Sequence, residues 1–284
     1  MKVSFNGNLL PSDEATLNLS NRGYNYGDSL FETMRVISSK IMFWESHYFR
    51  LMSSMRILRM SIPMDFSPEF LEEKIIELIK ANGLGSSPVR VKINIHRQAG
   101  GYYTPEKNSI GYFISVKPLE GAFFTINDNP YEVELFKDHY VLSGMLSTIK
   151  SNNKMVNILA GIFAKENGFD NCFLINQNKS VLEMTNGNVF IIKGKEIKTP
   201  PLSDGCLNGI IRKQLIEILK KSEDFDLKEE TVSPFELQKA DEIFFTNAIQ
   251  GIQPITKYRK KTYTDTVARN LVGKLNAKAR FADV

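Results

Sequence analysis

A chain of 284 residues with 42% hydrophobic, 24% charged and 11% aromatic residues can bury ordinary cores in one large or two smaller domains, which excludes a disordered chain. The formal net charge is +4, but the lysines are interleaved with acids, as in Leu71-Glu72-Glu73-Lys74. That pattern describes a solvated surface with a mild pull on small anions, not a nucleic-acid face. Cys172 and Cys206 lack metal-ligand spacing, and His47, His96 and His139 form no cluster. No apolar run approaches the roughly 20 residues of a membrane span, and the first residues lack the apolar stretch of a signal peptide. The expectation is a cytoplasmic protein acting on a small molecule, with no metal, nucleic acid or membrane partner.

In chain order, Leu30 to Ile37 and Lys40 to Trp44 read as strands flanking a Ser38-Ser39 turn. Glu45 to Met60 reads as an amphipathic helix burying Phe49, Met52, Met55 and Leu58, and His47 is expected on a face of it. Ser67-Pro68-Glu69 starts a second helix with a hydroxyl cap, a proline that needs no donor and a carboxylate at the positive end. Asn82-Gly83 ends it. Val89 to Arg97 and Ile110 to Lys117 are β-rich and bracket a loop with Gly100-Gly101-Tyr102-Tyr103. Pro118-Leu119-Glu120-Gly121 breaks the pattern and is the expected linker, at residues 118–121, between domains at 1–117 and 122–284.

Beyond it, helices are expected from Asn152 to Asn167, from Gly209 to Ser222, after Ser233-Pro234 and from Asp265 onward. Strands are expected at Cys172 to Ile175, Val189 to Ile192 and Ile243 to Thr246. The fold class is α+β, with no internal repeat.

Three segments carry the chemistry. Lys150 stands just before a helix in Ser147-Thr148-Ile149-Lys150-Ser151-Asn152-Asn153-Lys154. Glu183 ends an apolar strand in Leu182-Glu183-Met184-Thr185-Asn186-Gly187-Asn188-Val189. Leu207-Asn208-Gly209-Ile210-Ile211-Arg212 feeds a helix N-terminus, whose free N–H groups and dipole suit a phosphate. A lysine amine, a carboxylate and a phosphate seat are what pyridoxal phosphate requires.

Together with Asn21-Arg22-Gly23-Tyr24-Asn25-Tyr26-Gly27-Asp28, Phe31-Glu32-Thr33-Met34-Arg35-Val36 and His47-Tyr48-Phe49-Arg50-Leu51, this ordered set resembles the fold-type IV (class IV aminotransferase) pyridoxal-phosphate enzymes, from Phe5-Asn6-Gly7 to about Pro254. The resemblance implies two domains, a smaller N-terminal α/β sandwich and a larger C-terminal domain with a sheet or barrel-like core, with the cofactor between them, and a homodimer. It gives Lys150 the covalent link to the cofactor and the proton transfer, Glu183 the ring nitrogen, and Arg50 the phosphate, a task suited to a planar guanidinium. Backbone donors of Gly209, Ile210 and Ile211 complete the seat, Asn188 shapes the loop beneath the cofactor, and Asn247 and Ala248 lie in a further cofactor segment.

Within the family the departures discriminate. Met155 stands where branched-chain aminotransferases carry a tyrosine five residues after the lysine. Asn247-Ala248 before Pro254, Thr33 close to the lysine, and the Arg97-to-Gly101 loop resemble the 4-amino-4-deoxychorismate lyases. Tyr102 stands where those lyases carry a second loop arginine, so that either Arg97 meets a substrate carboxylate or Arg97 is a plain loop cation and the carboxylates are met elsewhere; Tyr26, and after it Tyr102, are the candidates to line the substrate pocket. Ile211 replaces a frequent threonine and Ser29 a frequent glycine. The preferred expectation is the lyase, and the alternative is an aminotransferase for branched-chain or D-amino acids.

Overall fold

A computed structural model describes residues 1–281, which divide into two compact units. The first comprises Met1–Ala122 and the short segment Ile149–Asn153. It contains β1 (Lys2–Phe5), β2 (Asn8–Pro11), α1 (Arg22–Tyr26), β3 (Ser29–Ile37), β4 (Lys40–Ile41), α2 (Trp44–Ile57), α3 (Pro68–Ala81), β5 (Val89–Arg97) and β6 (Ile110–Pro118). Its strands form one antiparallel sheet in the order β2-β1-β6-β5-β3-β4.

The period of two is plain in β5, where Val89, Val91, Ile93 and Ile95 turn inward to meet Leu51, Met52 and Met55 of α2 and Leu71, Ile75 and Leu78 of α3. Burying each such aliphatic side chain contributes about 1.5–3 kcal/mol. Helix α3 begins as its cap dictates, with the Phe70 N–H donating to Ser67 Oγ at 3.2 Å, and it ends before Gly83 at φ +69°. Helix α2 stops at Ile57, three residues short of expectation, and Phe49 is exposed because it falls on the face opposite Leu51, Met52 and Met55.

The second unit comprises Phe123–Thr148 and the chain from Lys154 onward. It runs β7 (Glu132–Leu135), α4 (Met145–Thr148), α5 (Met155–Glu166), β8 (Asn171–Ile175), β9 (Val181–Met184), β10 (Asn188–Lys193), β11 (Glu196–Thr199), α6 (Ile210–Leu219), β12 (Asp226–Glu229), α7 (Pro234–Lys239), β13 (Glu242–Asn247), β14 (Gly251–Ile255), β15 (Lys257–Tyr258), β16 (Lys261–Thr262) and α8 (Thr266–Phe281). Two five-stranded sheets, β12-β11-β10-β13-β14 and β16-β15-β7-β8-β9, share one core. Val133, Phe173 and Val181 from one meet Val189, Ile243 and Phe245 from the other. Strands β8 and β13 are buried on both faces, so they read in the sequence as continuous apolar runs without alternation.

Ile149–Asn153 groups with the first unit for a local reason. Ile149 is buried in that core, and the backbone beside it pairs with β3. Among the described residues no helix is long and apolar enough to cross a membrane.

Candidate active site

In the first unit the backbone of Lys150 is held as an added rung on β3. The Phe31 N–H donates to the Lys150 carbonyl at 2.9 Å, and the Asn152 N–H donates to the Ser29 carbonyl at 3.1 Å. Lys150 Nζ then lies 4.4 Å from the centre of the Phe31 ring. Phe31 and Thr33 share one face of β3, and their register partners Asn94 and Lys92 bring β5 side chains to the same face. Lys92 Nζ lies 4.9 Å from the Phe31 ring, so two amines flank one aromatic side chain. Burial and the neighbouring Arg90 charge hold the Lys92 amine below its ordinary range. Thr33 is buried, and so is Asn94, whose Nδ2 has no hydrogen-bond partner.

The other face of β3 carries Glu32 toward α2. Its carboxylate takes Arg50 Nε and Nη2 at 2.7 Å each and meets His47 Nδ1 at 2.8 Å. Burial pushes the Glu32 carboxyl up, but the Arg50 charge and the His47 contact outweigh it and hold it at about 2. Burial lowers His47 despite the opposing pull of Glu32, and the charges of Arg50 and Lys150 add to the lowering. Arg50 therefore spends two of its three nitrogens on Glu32 in a fork-to-fork pair that fixes its plane.

Arg97 was expected to meet a substrate carboxylate, and the structure commits it elsewhere. Its Nε donates to Asp28 Oδ2 at 2.8 Å, Nη1 to Asn108 Oδ1 at 2.6 Å and to the Arg59 carbonyl at 3.2 Å, and Nη2 to the Leu58 carbonyl at 2.6 Å. The same Asp28 oxygen takes Arg22 Nε at 2.9 Å. Arg22 Nη1 in turn gathers the carbonyls of Gly100, Gly101 and Tyr102. Two buried guanidiniums on one carboxylate thus tie the glycine loop to α1. Tyr102 contributes its carbonyl, and its side chain is exposed. Tyr26 lies under Arg22, 4.9 Å from ring centre to Cζ, and 5.9 Å from the Tyr103 ring.

In the second unit the expected residues gather on the loop that enters α6. Glu183, buried on β9, accepts the Leu207 N–H at 2.9 Å, and Asn188 Nδ2 donates to the Leu207 carbonyl at 2.8 Å. Gly209 precedes Ile210 and Ile211 at the N-terminus of α6, where no side chain caps the helix and the first turn holds no acid. A Cβ on Gly209 would stand 1.9 Å from Asn188 Oδ1, so the backbone approaches this close only without a side chain. Thr246, opposite Asn188 in register, has a buried Oγ1 without a partner. Asn247 is spent on its own turn, accepting from the N–H groups of Ile249 at 3.0 Å and Gln250 at 2.8 Å, with Ala248 half-buried between. A carboxylate, an uncapped helix start, an orphaned hydroxyl and a glycine cradle are a donor set that fits pyridoxal phosphate.

The family model for amino-transferase class IV matches residues 29–258. The chain belongs to this family. Among relatives, a protein of Methanocaldococcus jannaschii assigned as a branched-chain-amino-acid aminotransferase is 27% identical, over 100% of this chain and 96% of that one. A D-alanine aminotransferase of Listeria monocytogenes is 28% identical, over 90% of this chain and 87% of its own. Among solved structures, the branched-chain aminotransferase of Thermoproteus uzoniensis superposes with a TM-score of 0.87 at 23% identity, over 98% of this chain and 94% of that one. A structure from Legionella pneumophila, assigned as a 4-amino-4-deoxychorismate lyase, does so with 0.79 at 25% identity, over 94% and 97%.

As a class IV enzyme the chain departs from the branched-chain pattern at Met155, which opens α5 and is exposed. Two features escaped the sequence reading. Lys92 is one of many lysines, and only the β3–β5 register sets it beside Phe31 and Lys150. The Glu32–His47–Arg50 cluster had a visible signal, because His47 and Arg50 are three apart on one helix and share a face. His47, expected merely on a helix face, is buried against Glu32.

Proposed function

We propose that this class IV enzyme is a pyridoxal-phosphate-dependent lyase that converts 4-amino-4-deoxychorismate to 4-aminobenzoate and pyruvate. The observation that carries the reading is the Thr33–Lys92 pair beside Lys150. Among the described residues Lys92 has no carboxylate partner, and a half-buried cation of that kind favours an anionic ligand. Aminodeoxychorismate offers two carboxylates, one more than a branched-chain substrate.

When bound, pyridoxal phosphate supplies an electron sink for the carbon that carries the substrate amine. In this reading Lys150 Nζ takes the proton from that carbon and delivers a proton to the departing enolpyruvate, with the Thr33 hydroxyl assisting. Glu183 keeps a proton on the cofactor ring nitrogen. Arg50, held in plane by Glu32, and the first-turn N–H groups of α6 bind the phosphate. Lys92 replaces the absent loop arginine in holding a substrate carboxylate.

The alternative is transamination of branched-chain or D-amino acids, favoured by the names of the relatives and by the commitment of Arg97 to Asp28, Asn108 and two backbone carbonyls. The deciding experiment supplies aminodeoxychorismate to the purified holoenzyme and follows pyruvate through a coupled dehydrogenase. The same preparation is titrated with L- and D-amino acids while the visible band is watched. The lyase reading expects steady pyruvate release that Lys150→Ala abolishes. Silence in that assay, with bleaching by an amino acid that a 2-oxo acid reverses, overturns it.

The same proposal includes a homodimer. Met155, Ile158 and Ile162 form an exposed apolar stripe on α5, joined by Met145 and Leu146 of α4 and by Leu142, and a second copy of the chain would cover it.

A further inference from the structure

The second unit holds a cavity of about 530 Å³, within the usual range for small-molecule sites. None of its lining residues belongs to the cofactor set. Its apolar wall includes Leu135, Ile175 and Tyr258, and Phe235 stands exposed at its edge. Lys137, Lys179 and Arg259 also line it, and no carboxylate does. Glu134 reaches Arg259 through Nε alone, at 3.3 Å, and among the described residues Lys137 and Lys179 have no ion pair.

Backbone geometry adds an independent observation. Lys179 and Arg259 both occupy left-handed conformations, at φ +63° and +56°, where glycine would be the unstrained choice. The Lys179 turn needs no side chain from that residue, since Asn176 Oδ1 accepts from the N–H groups of Asn178 and Ser180 at 3.0 Å each. Two strained turns from different hairpins, β8–β9 and β15–β16, therefore each place a cation at the same cavity. The two hairpin turns enforce this conformation, and both cations are carried to the cavity by it.

We propose that this cavity binds a small aromatic anion, a planar ring carrying a carboxylate or a phosphate at its edge. The ring would lie against the exposed Phe235 side chain, and the three cations would meet the anionic group. An aryl carboxylate and a nucleotide share this chemistry.

The test is calorimetric titration of the cofactor-saturated holoenzyme with benzoate and, separately, with adenosine 5′-monophosphate. Acetate and ribose 5-phosphate are the matched probes without an aromatic ring. We expect saturable binding of one aromatic probe with a Kd below about 1 mM, and binding of its non-aromatic counterpart at least about tenfold weaker. The double variant Lys179→Gly/Arg259→Gly should weaken the aromatic probe at least about tenfold while leaving the visible cofactor band unchanged and thermal stability no lower, since both turns lose strain. No saturable binding by either aromatic probe overturns the proposal. Binding undiminished in the double variant does so too, because it locates the probe elsewhere.

Discussion

Replacing Glu32 by glutamine tests the buried charge cluster most directly, because the amide keeps the shape and removes the charge. Held at about 2 against an ordinary 4.5, this fully buried carboxyl contributes on the order of 3 kcal/mol at neutral pH. The sign follows from the depressed value: the contribution is complete above pH 4.5 and fades as the pH falls toward 2. At pH 3 less than half of it remains. The substitution also leaves the Arg50 guanidinium, 9% exposed, without its countercharge, which breaks a buried pair and typically costs about 3–5 kcal/mol.

The chain's single tryptophan, Trp44, opens α2 and reports the unfolding of this unit. At a typical urea slope of about 2 kcal/mol/M, Glu32→Gln should lower the Trp44 midpoint by about 1.5 M at pH 7, and by less than half as much at pH 3. A midpoint within about 0.3 M of the parent at pH 7 would refute the reasoning, as would a gap that widens at pH 3.

The remaining predictions concern the site and the surface. Gly209→Ala should weaken pyridoxal-phosphate affinity at least about tenfold in equilibrium dialysis, because the new methyl collides with Asn188. Its backbone φ of −72° suits alanine, so any loss of stability comes from this collision and not from backbone strain. Lys92→Gln should raise KM about ten- to a hundredfold with an unchanged cofactor spectrum, as expected for a lost charge-assisted contact to substrate. Removal of the buried His47 imidazole by His47→Asn should flatten the decline of Trp44-reported stability as the pH falls below 6.5. The lowered native value means that unfolding takes up a proton in that window. Ile158→Glu together with Ile162→Asp should yield a monomer in sedimentation, since both face outward on α5.

The sequence made much of this molecule legible where local rules suffice. The cap at Ser67, the stop at Gly83 and the alternation of Val89 to Ile95 each follow from a few neighbouring residues. The segment around Lys150 did not behave that way. It reads as the run-up to a helix that starts at Met155, whereas its backbone pairs with Ser29 and Phe31, more than a hundred residues earlier. Pairing at that separation leaves no local signature. Arg97 shows the opposite difficulty. A loop arginine beside paired glycines reads as a ligand contact, and only the positions of Asp28, Asn108 and two carbonyls show that its donors are spent within the fold.

The parity of β3 ties these observations together. Because successive side chains of a strand face opposite ways, Phe31 and Thr33 stand beside Lys150 while Glu32 points into the helical layer, where it fixes Arg50 and His47. One three-residue stretch thus supplies neighbours of the Lys150 amine on one face and a buried ion cluster on the other. A one-residue slip of register would exchange the two, burying Thr33 against α2 and stranding a carboxylate beside the lysine amine. The long β3–β5 ladder, eight residue pairs from Ser29↔His96 to Val36↔Val89, makes such a slip costly. In the proposed reading the ladder is therefore as much a part of the site as Lys150, and substitutions along its inward positions should disturb the chemistry through register before they touch any reacting atom.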